Sequence, residues 1–163
     1  MVLVLIQLHF ILNLKNPKTN LFFDFGYKLS PGESNNNSFI IEEEINIDIL
    51  LSKIQVDSTN YGFTFIPISK YEICPIGTYK IALVMDVINE EDMLGLDDRD
   101  IHFYRQNRDG SWSHKLGNDK VYSNDQVPGF MKKIYDPETC PKNFYNIKKY
   151  EIFVGFYAVT PLY

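Results

Sequence analysis

The sequence predicts an α+β fold, with a central antiparallel sheet and helices packed to one side of it. Three features carry that expectation. The clearest helical periodicity lies in the first half, over residues 40–56. A near-continuous apolar and β-branched run follows at 78–87. Then two aromatic-rich segments, 100–105 and 111–117, flank an Asp109-Gly110 turn signal, the pattern of a hairpin.

The elements follow in chain order. Residues 1–14 are apolar apart from Gln7, His9 and Asn13. A membrane span needs about 20 apolar residues, and this stretch also lacks a basic leader region and a small-residue cleavage site. A buried helix or strand is expected, with a signal anchor or a displaced start as alternatives. A turn cluster around Pro17 and an aromatic strand or buried loop at 21–27 come next, then an exposed connection at 30–37. Ser38 is a candidate N-cap. Over 40–56, apolar residues recur at Ile41, Ile45, Ile49 or Leu50, and Ile54, and acids fill the first turns, as the helix dipole favours. Glu42, Glu43, Glu44 and Asp48 read as a solvated face. Residues 57–62 are expected to break the helix. A short strand at 63–66 should end at Pro67, and Cys74-Pro-Ile-Gly77 forms a turn into the 78–87 run, read as a strand buried on both faces. An acidic loop, 88–99, leads to the hairpin. Loop and turn signals occupy 121–141, and a last strand at 150–159 is broken by Gly155.

Composition bounds the function. The chain has 163 residues, 45% of them hydrophobic and 15% aromatic, enough for one domain (1–163) with a real core. The net charge is -5, and basic residues are scattered apart from Lys132-Lys133 and Lys148-Lys149, which argues against nucleic acid. The cysteines, Cys74 and Cys140, are too few for a disulfide scaffold; a reduced protein, intracellular or in a virion, is expected, with one bridge as the alternative. His102 and His114 have no acidic or sulfur partner at ligand spacing, so no metal is expected. Neither glycine-rich phosphate motif occurs, so no cofactor is expected. A protein or peptide partner is expected instead.

The candidate site lies on the hairpin. On a strand His102 and Tyr104 share one face, while Ile101, Phe103 and Arg105 share the other. Trp112 and His114 face opposite to Ser113 and Lys115, so Ser113 and His114 cannot form a triad pair. A histidine on an antiparallel strand beside a second polar strand can serve as a general base. A packing histidine with one satisfied hydrogen bond is the plainer alternative.

Asp100-Ile-His-Phe-Tyr-Arg105, Gly110-Ser-Trp-Ser-His-Lys115, Gly117, Asn124-Asp125, Asp136-Pro137 and Phe153-Val-Gly-Phe-Tyr157 resemble a poorly characterised family of bacteria and large DNA viruses. Tyr79-Lys-Ile-Ala-Leu-Val-Met-Asp86 and Ser30-Pro-Gly-Glu33 extend the resemblance over most of the chain from about Asn13 onward. That family is in turn distantly similar to papain-like, NlpC-type thiol hydrolases. The resemblance implies a papain-like fold in the loose sense, with His102 as general base and His114 or Asn124 orienting it. It also implies a cysteine at the start of an N-terminal helix, activated by the histidine and the helix end. Here Gln7-Leu8-His9 occupies that place, and the late cysteine of the family pattern is Val154. Cys74 and Cys140 lie in turns, Cys74 being a weak substitute. The expectation is a thiol-hydrolase relative that has lost its nucleophile, and so an inactive one. The alternative is a non-enzymatic binding or structural module, using a groove rimmed by Tyr104, Trp112 and Phe156.

Overall fold

The computed structural model describes residues 46–85, 101–115, 121–122, 133–139, 143–144 and 148–162. The expectations for residues 1–14, for Ser38 and for the acidic loop lie outside them. Among the described residues the architecture is a six-stranded antiparallel sheet with one helix, mostly sheet and α+β in kind.

Helix α1, Ile47–Asn60, begins at Asn46, whose side-chain oxygen accepts from the Ile49 amide at 3.1 Å. Leu50 and Ile54, four residues apart and so stacked on one face, are fully buried. The helix runs on through 57–60, where the sequence suggested a break. Ser58 Oγ donates to the Ile54 carbonyl at 2.7 Å and Thr59 Oγ1 to the Gln55 carbonyl at 2.9 Å. Side chains that favour turns are thus satisfied within the helix itself. Gly62, at φ +80°, then takes the left-handed conformation that turns the chain out of the helix.

The strands are β1 (Phe63–Ile68), β2 (Tyr79–Met85), β3 (Ile101–Gln106), β4 (Trp112–Lys115), β5 (Val121–Tyr122) and β8 (Ile152–Pro161), in the order β1-β8-β2-β3-β4-β5. A separate two-stranded pair joins β6 (Asn143–Phe144) to β7 (Lys148–Lys149). Strand β1 continues through Pro67 because, among the described residues, it pairs only with β8; at an edge, a residue without an N–H costs no ladder bond. Strand β8 is likewise unbroken. At Gly155 it makes a β-bulge against Leu83 and Val84. A Cβ at Gly155 would come within 3.2 Å of Tyr157 Oη and press on that ring.

Because β8 lies between β1 and β2 and is antiparallel to both, β1 and β2 run parallel. The 69–78 connection must therefore cross β8. Lys80 of β2 holds that crossing from below, donating to the Lys70 and Glu72 carbonyls.

Both sheet faces are covered. On one, Ile81, Leu83, Met85, Phe103, Tyr157 and Val159 pack with Leu50 and Ile54 of α1. On the other, Ala82, Val84, Tyr104, Trp112 and Phe156 pack with Ile134 and Tyr150. The register fixes this split: Ala82 opposes Tyr104 and Val84 opposes His102, while Leu83 opposes Phe103. The burial of β2 on both faces is as the sequence suggested.

Candidate functional site

The β3–β4 hairpin turns through residues 107–111, a loop built around the Asp109-Gly110 signal. The Asn107 amide donates to the Ser111 carbonyl at 2.7 Å, and Asp109 Oδ1 accepts from the Ser111 amide at 3.0 Å. Gly110 sits at φ +81°, the residue that closes such a turn. This loop sets Tyr104 opposite His114. His102, two residues along β3, is then the diagonal neighbour of His114 on the same face.

The two rings meet: His102 Nε2 lies 3.0 Å from His114 Nδ1. Such a bond needs an N–H on one ring and a lone pair on the other. Around the pair stand aromatic rings. Tyr104 is 5.1 Å from His102 and 5.2 Å from His114, Tyr150 is 5.0 Å from His102, and Tyr122 is 5.9 Å from His114, between centroids. His102 is 1% exposed and His114 0%. The hairpin sets the two histidines side by side, with the geometry of a core polar pair. A general base must reach a substrate proton through an accessible nitrogen.

The other expected residues fall elsewhere. Tyr104, Trp112 and Phe156 form no rim; all three are buried in the second core layer. The reason is that the sheet face they share, expected to be open, is covered by Ile134 and Tyr150. Asn124 and Cys140 lie outside the described residues. Cys74 is half-buried in the β1–β2 connection, in a cleft that His102 and His114 do not line. Burial pushes its thiol up, nearby Lys80 partly opposing, so it lacks the depressed value of a nucleophilic cysteine.

That cleft is the feature sequence reasoning missed. It is an open cleft of about 850 Å³ at the end of the sheet where β2 begins and β3 ends. The crossing loop supplies Tyr71, Ile73 and Ile76; β2 supplies Tyr79 and Lys80; β3 and its turn supply Arg105 and Arg108. Tyr71 is 88% exposed, Ile73 92%, and Ile76 fully. The Arg105 guanidinium lies 5.8 Å over the Tyr79 ring. Lys70, at the cleft's edge, is bound to Asp136 at 2.7 Å and Glu138 at 3.0 Å. Those hydrogen bonds raise the Lys70 ammonium well above its ordinary value. The Asp136 carboxyl is held low; burial opposes this, and bonds from Lys70, the Glu138 amide and Thr139 outweigh it. The large apolar residues Tyr71, Ile73 and Ile76, interleaved with polar and turn residues at 69–78, were a visible hint. Nothing local told that Arg105 and Arg108 would join them.

Among the described residues, no group of three or more histidine, cysteine or acidic side chains is placed to hold a metal ion. No helix among them is long and apolar enough to cross a membrane. Comparison with protein-family models, curated proteins and solved structures gave no match.

Proposed function

We propose that this chain is a non-enzymatic binding module, a relative by resemblance of papain-like thiol hydrolases whose histidine-bearing strands now serve as core. One observation carries this reading. The residue that the resemblance makes the general base, His102, spends its Nε2 on His114 inside an aromatic shell, at 1% exposure. Cys74, with a raised thiol, lines a different cavity.

The test is the pH dependence of alkylation at Cys74 in the folded protein. An unperturbed thiol titrates near ~8.5. Cys74 should react no faster than an ordinary thiol at every pH, with the same profile in His102→Ala. Rapid reaction well below that pH, abolished by His102→Ala, would reveal a paired thiolate and overturn the proposal.

A further inference from the structure

The cleft at the β2–β3 end combines two properties that core packing does not require. Its walls expose three large apolar side chains, Tyr71, Ile73 and Ile76, side by side on one loop. Contiguous exposure of that kind marks an interaction surface. Its lining is also cationic: among the described residues Lys80, Arg105 and Arg108 line it with one carboxylate, Glu72, while Lys70 at its edge is already bound to Asp136 and Glu138, in a chain whose net charge is -5. The Glu72 carboxylate is itself turned toward the Ser69 amide, at 3.2 Å. Local charge and overall charge thus have opposite sign, and the field inside the cleft selects for anionic groups.

Shape narrows the partner. Lys80, 6% exposed, anchors the crossing loop by its bonds to two backbone carbonyls, so one cleft wall is braced from within the sheet. A wall held in place in this way fixes the cations that a chain laid along the cleft would meet with its carboxylates. Tyrosine and arginine beside aliphatic side chains are also what protein-binding hot spots use.

We infer that the cleft formed by the 69–78 crossing loop and the β3–β4 turn docks an acidic peptide segment of a partner protein, one carrying apolar side chains among its carboxylates. The inference rests on the binding-module reading and gives it a site. Apolar groups of the peptide lie against Tyr71, Ile73 and Ile76, and its carboxylates meet Arg105 and Arg108. Affinity falls with rising salt.

The experiment selects from a library of randomised peptides of about twelve residues on the immobilised full chain, then measures binding by fluorescence anisotropy. The expected result is enrichment of Asp or Glu among apolar residues, with roughly tenfold weaker binding to Arg108→Glu and to Ile73→Ser. Bound peptide should also slow alkylation of Cys74. Both substitutions are on exposed side chains, and unchanged thermal unfolding will show that the fold is kept. Three results would overturn the inference: no enrichment, enrichment of basic peptides, or selected peptides that bind both variants as well as the parent. Binding of phosphatidylserine vesicles in place of peptide would overturn it too. A fast, His102-dependent Cys74 thiolate would sink the module reading while leaving peptide binding intact, so the two failures are distinguishable.

Discussion

The histidine-bearing face of the sheet and the cleft at its end use similar residues to opposite ends. Each places ionisable groups among aromatic rings. On the face, His102 and His114 satisfy each other at 3.0 Å and are closed off by Tyr104 and Tyr150. At the end, Tyr71, Ile73 and Ile76 are left in solvent beside Arg108. The difference teaches that residue type alone does not locate function. A buried polar pair that is mutually satisfied adds to fold specificity and stability, whereas exposed apolar groups gain nothing from folding and stay open to contact.

The comparison breaks most readily at the histidines. His114→Ala removes a fully buried ring and leaves the His102 nitrogen without this partner in the core. A loss of about 3 to 5 kcal/mol in urea unfolding is expected, combining the cavity with the desolvated group. A loss under about 1 kcal/mol would mean that the pair is not a core element. A double-mutant cycle sharpens the point. His102→Leu and His114→Leu together should cost less than the sum of the single changes, by about 1 to 3 kcal/mol, because removing both partners orphans neither. Additive effects would show that the two rings do not interact.

Acid should affect the bracket between the crossing loop and residues 136–138. The folded-state value of Asp136 is depressed, so its contribution is complete above its unfolded value, near ~3.9, and is lost as pH falls through the lower folded one. Lys70 is raised, so its contribution holds below ~10.4 and is lost only above its folded value. The difference in Tm between the parent and Asp136→Asn should therefore be flat from pH 5 to 9 and shrink below about pH 4. A difference that grew on acidification would contradict the ion pair. At the cleft the effect on stability should be smallest: Ile73→Ser should change it by no more than about 0.5 kcal/mol, since the side chain is 92% exposed. A larger loss would mean that the loop apolar groups are structural.

Much of the described fold was legible locally. The 3.6-residue spacing of Leu50 and Ile54, the unbroken apolar run of β2 and the Asp-Gly hairpin all depend on near neighbours in sequence. Strand parity also put His102 and Tyr104 on one face. What sequence could not give was the cover over that face. Ile134 and Tyr150 reach it from far along the chain, and they turn an expected aromatic rim into core. The helix end was missed because Ser58 and Thr59 bond back to their own helix, an option their propensities do not advertise. The cleft escaped notice because β8, from the chain's end, inserts between β1 and β2 and forces the 69–78 crossing toward the start of β2 and the end of β3. Papain-like likeness rests on motif resemblance alone; the described sheet order supports the broader α+β description.

The most direct test of whether the histidines are core or site is residue-resolved carbethoxylation by diethyl pyrocarbonate, read by mass spectrometry on native and unfolded protein. With both rings sealed, neither His102 nor His114 should be modified in the native state over a time in which free imidazole reacts completely, and both should react once the chain is unfolded. Modification of His102 in the native protein at close to the free-imidazole rate would contradict the sealed pair and return it to the role of an accessible base.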